Sequence, residues 1–177
     1  DKDFPIYKIG SISRLADQKD IPTMLRAFKI FHEAHPQATL SILGAGPLDS
    51  ELKYLSRSMD LSDSVIFRGR SSNIYEFLSE LDAFILTSKY EGFGMVLLEA
   101  MDSGLPIVAS NNSAIPEVLG LDFLGLCQTG DAAGFSQRLD DLNDVTFRSR
   151  VLEQQMTRLN LFNAGQMCQR LLAVYLS

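Results

Sequence analysis

Two glutamates, Glu91 and Glu99, bracket a turn, Gly92-Phe93-Gly94, that runs into the apolar segment Met95-Val96-Leu97-Leu98. Carboxylates accept hydrogen bonds from hydroxyl groups. A glycine turn at a helix start offers unpaired N–H groups and the positive end of a dipole to an anion. Together these chemistries suit a ligand carrying both phosphates and sugars. A second constellation, Arg14 and Lys19, lies in one loop near the start of the chain. A forked guanidinium and a compact ammonium suit a diphosphate.

The elements that must position these groups are legible in the hydrophobic pattern. Strands are expected over 6–13, 39–43, 65–67, 83–86, 107–109 and 124–127, and helices over 23–35, 49–58, 74–81 and from Gly94 onward. That last helix stops at Gly104-Leu105-Pro106, where Gly suits the left-handed C-terminal position and Pro cannot continue. Pro116-Glu117-Val118-Leu119 starts a single helical turn, and further helices follow over 132–142 and 147–176, broken near 160–163. Alternating strands and helices imply an α/β fold: a Rossmann-like, doubly wound parallel sheet of about six strands with helices on both faces. With strand order 3-2-1-4-5-6, strands one and four are neighbours, and ligands bind in the crevice beyond their carboxyl ends. The loops leaving those strands carry Arg14 with Lys19 and the Glu91 motif.

Composition narrows the partners. A net charge of −6 argues against a nucleic-acid backbone, which needs a basic face. With 46% hydrophobic and 21% charged residues, the chain is globular and expected to form one domain over 1–177. No apolar run approaches the ~18 residues of a membrane span, and no signal peptide opens the chain. Cys127 and Cys168 lack CxxC spacing and read as buried thiols. The opening Asp1-Lys2-Asp3-Phe4-Pro5 reads as an entry from a linker.

Geometry on a helix separates the two glutamates. Glu99 lies about one turn inside, roughly 6–8 Å beyond the helix start, where a ribose diol is a fitting partner. Glu91 precedes the helix, on the other side of the phosphates, where a sugar would lie. A diphosphate between two hydroxyl-bearing rings is the shape of a nucleotide sugar.

With these residues in place, the chain resembles the carboxyl-terminal, donor-binding domain of the retaining GT-B glycosyltransferases, family 4 (glycosyl transferases group 1). The family's glutamate, seven residues, then second glutamate is matched by Glu91 and Glu99. Its Arg-Leu-x-x-x-Lys is matched by Arg14-Leu15 and Lys19. Further matches are Leu43-Gly44-Ala45-Gly46-Pro47-Leu48, Val65-Ile66-Phe67-Arg68-Gly69, Ser103-Gly104-Leu105-Pro106-Ile107-Val108-Ala109 and Ile115-Pro116-Glu117-Val118. The resemblance covers roughly residues 6–131 and is densest over 82–117.

The resemblance implies roles. Arg14 and Lys19 hold the donor diphosphate, helped by backbone N–H groups across Phe93, Gly94, Met95 and Val96, with Gly92 and Gly44 in the same donor site. Glu91 contacts the transferred sugar, Glu99 the ribose, and the base lies against Arg68-Gly69, mostly through backbone. The donor is a UDP-, GDP- or ADP-linked sugar, with no cofactor and no metal. The same-face displacement favoured for the family makes Glu91 a positioning and electrostatic group.

Other partners implied are the amino-terminal domain of the same enzyme, expected to be absent from this chain, and a saccharide or lipid-linked acceptor. The family's common uses imply polysaccharide or glycolipid assembly by a cytoplasmic enzyme, with peripheral contact at the inner face of the membrane as a further option. Two alternatives stay open: a non-catalytic nucleotide-sugar-binding fragment or subunit, and another GT-B enzyme such as a sugar epimerase or phosphorylase.

Some features point elsewhere or depart from the pattern. Gly44-Ala45-Gly46 hints at a dinucleotide fingerprint, but Asp49 stands at the third glycine position and the run follows the second strand. Asp1-Lys2-Asp3 mimics a metal-binding DxD at a ragged end. His32 and His35 share a helix face without an acidic or cysteine partner at ligand spacing, so they read as exposed. Asp20 stands where glycine commonly follows the lysine. Ala114 replaces a glycine before Ile115-Pro116-Glu117, which is expected to alter the sugar pocket because a Cβ restricts close backbone approach.

Overall fold

The computed structural model describes residues 5–162. Expectations for residues 1–4, for Cys168 and for the helical end beyond 162 lie outside the described residues. Among the described residues six strands form a single parallel sheet: β1 (Lys8–Ile12), β2 (Thr39–Leu43), β3 (Val65–Gly69), β4 (Ala83–Leu86), β5 (Ile107–Ser110) and β6 (Leu126–Cys127), in the order β3-β2-β1-β4-β5-β6. The central strands β4 and β5 are buried along their whole length, as expected where helices cover both faces.

Among the described residues seven helices connect and flank the strands: α1 (Ile21–Ala34), α2 (Asp49–Ser58), α3 (Ile74–Ser79), α4 (Met95–Asp102), α5 (Ile115–Leu119), α6 (Ala132–Asp141) and α7 (Val145–Leu161). Helix α1 packs on α2 and α6, while α7 packs on α4 and α5. One continuous core joins the layers, with Phe28, Phe31, Phe84 and Phe135 among its largest fully buried side chains. Burying each such side chain is worth roughly 1.5–3 kcal/mol, an upper figure for a compact unfolded chain.

Helix α1 starts two residues earlier than expected, because Pro22 occupies its first turn, where no N–H is needed. Asp20, directly before it, takes the left-handed conformation at φ 45°. That is the physical reason glycine is common there, and aspartate is among the few other residues that tolerate it. Gly104, at φ 68°, follows the end of α4 as its chemistry requires.

The histidines differ from expectation. His32 is half-buried with Nδ1 3.1 Å from the Ala38 carbonyl, and His35 Nε2 lies 2.7 Å from Asp140 Oδ1. The acidic partner of His35 comes from α6, a position that ligand spacing within one helix could not reveal. Gln155 was also invisible as a structural residue. It is buried on α7, where its amide accepts from Ile107 N–H at 3.0 Å and donates to the Leu105 carbonyl at 2.7 Å, pinning the start of β5.

Candidate functional site

The parallel sheet brings the carboxyl ends of β1 and β4 side by side, and a crevice of about 600 Å³ opens above them. Its lining includes Arg14, Lys19, Gly44, Arg70, Glu91 and the run from Gly92 to Val96. The two sequence constellations, separated by more than seventy residues, therefore face one space. Arg14 is exposed; its carbonyl accepts from Ala16 N–H at 2.9 Å, and its guanidinium stands at the crevice without an ion pair to another described residue.

The loop carrying Arg14 is fixed from the side of β2. Ser13 N–H donates to the Leu43 carbonyl at 2.9 Å, and Leu15 N–H to the Ala45 carbonyl at 3.2 Å. Such close approach explains the glycines. A Cβ on Gly44, at φ 145°, would sit 2.0 Å from the Ser13 carbonyl oxygen, and one on Gly46 would sit 2.2 Å from that of Leu15. Gly44 thus lines the crevice and also allows the Arg14 loop to lie where it does.

Lys19 ends a short 3₁₀ turn, Asp17–Lys19, that is tied to β4. The buried Thr87 hydroxyl is 3.0 Å from both the Lys19 and Asp20 carbonyls, and the Gln18 carbonyl accepts from Lys89 N–H at 2.8 Å. The loop after β5 joins this network: Asn112 donates to the Lys89 carbonyl at 2.5 Å and Ser113 Oγ to the Glu91 carbonyl at 2.8 Å.

One contact was not anticipated. Lys19 Nζ lies 2.5 Å from Glu91 Oε2, with side chains only 12% and 14% exposed. Sequence reasoning placed these groups on different parts of a ligand; without a ligand they neutralise each other. Ser88 Oγ adds a longer bond to the same carboxylate oxygen at 3.3 Å.

Helix α4 begins at Gly94, at φ 75°, with no side-chain cap and no acidic residue in its first turn. Its dipole and first N–H groups are left for an anion. A Cβ at Gly94 would press on Leu97 at 3.0 Å and Glu91 at 3.4 Å. Gly92 has open space around it, so its glycine identity meets no steric demand here. Phe93 and Met95 are exposed at the rim.

Three expectations shift. Glu99 is half-buried one turn into α4 and is not among the residues lining the crevice; burial raises its pKa above the usual carboxylate value. Arg68 and Gly69 do not line the crevice either: Arg68 pairs with Glu80 at 3.1 Å, and Arg70 lines it instead. Ala114 has φ −76°, an ordinary helical value, and does not line the crevice, so no Cβ conflict arises there. The left-handed residue in that loop is its neighbour Ser113, at φ 56°.

A second cavity of about 630 Å³ lies at the opposite end of the sheet, against Ile6, Asp82, Pro106 and Arg148. Its charged groups already have structural work. Asp82 accepts the N–H groups of Tyr7 and Lys8 at 3.2 and 2.9 Å, and Arg148 is buried and partnered. The smaller crevice is the better candidate, because its cations and helix N-terminus converge on open space.

Known proteins carry the same arrangement of chain. The sequence model of glycosyl transferases group 1 matches residues 5–151. An N-acetyl-alpha-D-glucosaminyl L-malate synthase from Bacillus anthracis is 35% identical over 129 residues, which is 72% of this chain and 33% of that protein. A lipopolysaccharide core biosynthesis glycosyltransferase from Rhizobium meliloti is 28% identical over 175 residues, 90% of this chain and 50% of that one.

Among solved structures, Anabaena Alr3699/HepE in complex with UDP and glucose superposes with a TM-score of 0.84 at 22% identity, over 99% of this chain and 50% of that one. The carboxyl-terminal domain of a group 1 family glycosyl transferase from Francisella tularensis gives 0.77 at 26% identity, over 90% of this chain and 87% of that one. The chain thus spans between a third and a half of the curated relatives described above. On the family match across most of its length, the chain belongs to the glycosyl transferases group 1 family.

Proposed function

We propose that the chain is the donor-binding domain of a retaining family 4 glycosyltransferase, and that the crevice takes a nucleotide-diphosphate sugar. The observation that carries the reading is the convergence of Arg14, Lys19 and the uncapped start of α4 on one space above β1 and β4. Three sources of positive potential there suit a diphosphate. At an effective dielectric near 20, a unit charge 4 Å from a phosphate attracts it by about 4 kcal/mol before desolvation. Glu91, at the edge of that space, suits the hydroxyls of the transferred sugar.

In this reading Arg14 and Lys19 stabilise the charge that builds on the leaving diphosphate, which is where electrostatic catalysis acts most strongly. No metal is needed for that step. Glu99 takes the ribose diol, reached from the side of α4 rather than from the main crevice. Acceptor contacts belong to an amino-terminal domain outside this chain. The acceptor is a saccharide or lipid-linked saccharide, assembled on the cytoplasmic side, with the missing half meeting any membrane. Among the described residues no helix is long and apolar enough to cross one.

Calorimetric titration of the chain with UDP-, GDP- and ADP-sugars tests the reading. At least one should bind, Lys19→Ala should abolish that binding, and Glu99→Ala should weaken it. In the full-length enzyme, Lys19→Ala should raise the barrier to transfer by roughly 2–4 kcal/mol. Absence of binding by every donor, or robust transfer by the chain alone, would overturn the assignment. Product analysis with the full-length protein separates a transferase from an epimerase or a phosphorylase.

A further inference from the structure

A hydroxyl follows directly on an apolar strand. Strand β4 is buried along its whole length, and Thr87, the next residue, is fully buried as well. A buried hydroxyl needs a partner. Thr87 has two, the Lys19 and Asp20 carbonyls, each 3.0 Å away and sharing its single proton. Asp20 takes left-handed helical torsions, φ 45° and ψ 45°, which leave its own carbonyl and that of Lys19 side by side.

The two carbonyls do not need Thr87 equally. That of Asp20 also accepts from the N–H groups of Thr23 and Met24, at 3.0 and 3.4 Å, in the first turn of α1. That of Lys19 accepts from no other group among the described residues. Thr87 is therefore above all a tether on Lys19. Lys19 is held at three points: its N–H donates to the Ala16 carbonyl at 3.0 Å, its carbonyl accepts from Thr87, and its ammonium meets Glu91. A diphosphate that draws the ammonium away from Glu91 leaves the two backbone anchors. The Ala16 bond lies within the turn, so Thr87 is what ties Lys19 itself to another element. Arg14 does not depend on this tether, since its loop hangs on β2 through Ser13 and Leu15.

We infer that Thr87 is a positioning residue for the diphosphate, its hydroxyl setting how far Lys19 reaches into the crevice. The inference rests on the donor-binding reading above and adds to it a residue that does not line the crevice. Distance sets the size of the effect. At an effective dielectric near 20, moving a unit charge from 4 to 5 Å away from a phosphate costs about fourfold in affinity.

Two substitutions separate the hydroxyl from packing. Thr87→Val keeps the shape and loses the donor, whereas Thr87→Ser keeps the donor and loses a buried methyl. Calorimetric titration with inorganic pyrophosphate should show a loss of about fourfold for Thr87→Val and a change of under about twofold for Thr87→Ser. The serine variant should nonetheless unfold at lower urea than the unmodified chain, because its lost methyl leaves a void. Labelling with an amine-acylating reagent, read by mass spectrometry, follows Lys19 without any ligand. Relative to Lys29 and Lys53, Lys19 should react faster in Thr87→Val and at an unchanged rate in Thr87→Ser. Pyrophosphate affinity equal in Thr87→Val and the unmodified chain would overturn the inference. So would equal losses for valine and serine, or labelling of Lys19 that valine leaves unchanged. If Thr87→Val does not fold, Thr87→Cys takes its place; its thiol is a weaker donor, and it must bind pyrophosphate less tightly than Thr87→Ser. If the unmodified chain binds no pyrophosphate, the donor-binding reading falls first and this inference with it.

Discussion

Glu91→Gln removes a negative charge 2.5 Å from the Lys19 ammonium without changing the shape of the side chain. The carboxylate acts on a bound diphosphate in two ways, by occupying Lys19 and by repelling the phosphate charge directly. A phosphate drawn to Lys19 lies roughly 6 Å from the Glu91 carboxylate. At that distance one unit of repulsion is about 0.7–2.8 kcal/mol for effective dielectrics of 80 down to 20. The crevice is open to solvent, so the lower half of that range applies. The variant should therefore bind UDP about 1 kcal/mol more tightly, roughly a fivefold gain.

A UDP-sugar should respond differently. If Glu91 accepts hydrogen bonds from the sugar, the neutral amide loses a charge-assisted bond worth about 1.5–3 kcal/mol, which offsets the gain. Side-by-side calorimetry of UDP and the matching UDP-sugar, at one ionic strength, reads both effects. GDP replaces UDP if the chain prefers guanine. Weaker or unchanged UDP binding by Glu91→Gln would refute the claim that the carboxylate restrains Lys19. An equal gain for nucleotide and nucleotide sugar would refute its role at the sugar.

Gly44→Ala drives a Cβ against the Ser13 carbonyl in a backbone conformation only glycine adopts easily, so urea denaturation should show a loss of about 2–3 kcal/mol. Pyrophosphate affinity should fall as well, since the displaced loop carries Arg14; an unaltered midpoint would contradict the contact. Gln155→Leu leaves the Ile107 N–H and the Leu105 carbonyl buried without partners, and should lower stability by about 3 kcal/mol in the same assay. Burial pushes the Cys127 thiol from 9.0 up to about 11, so the folded state keeps a proton that the unfolded state loses. This contribution is intact below pH 9 and is lost as pH rises through 11, roughly 2.7 kcal/mol in all. Cys127→Ala should show a correspondingly flatter decline between those pH values; parallel curves for the two proteins would count against it.

Much of the fold was open to reading because its signals are local. Apolar runs such as Ala83-Phe84-Ile85-Leu86 and stops such as Gly104-Leu105-Pro106 announce strand and helix ends without tertiary help. The facing of Arg14 and Lys19 toward the Glu91 loop was legible for a different reason: parallel strand order dictates which loops meet. What escaped were consequences of side-chain direction. Alternation along β3 cannot reveal that a bulge turns Arg68 outward and Arg70 inward. Helical spacing put Glu99 beyond the phosphates, but how far burial against the fold would draw it from the crevice depends on packing that no spacing encodes. His35 with Asp140, and Gln155 with β5, are joined by the fold alone.

The network of Thr87, Gln18, Asn112 and Ser113 binds the loops after β1, β4 and β5 to one another, using only atoms of this chain. On the proposed reading, the wall that would face the donor is therefore held in place by this chain alone. A second domain can differ in sequence, or be exchanged, without disturbing it. If the proposed division of labour holds, donor choice and acceptor choice would be separately heritable traits, and one such half could serve many products.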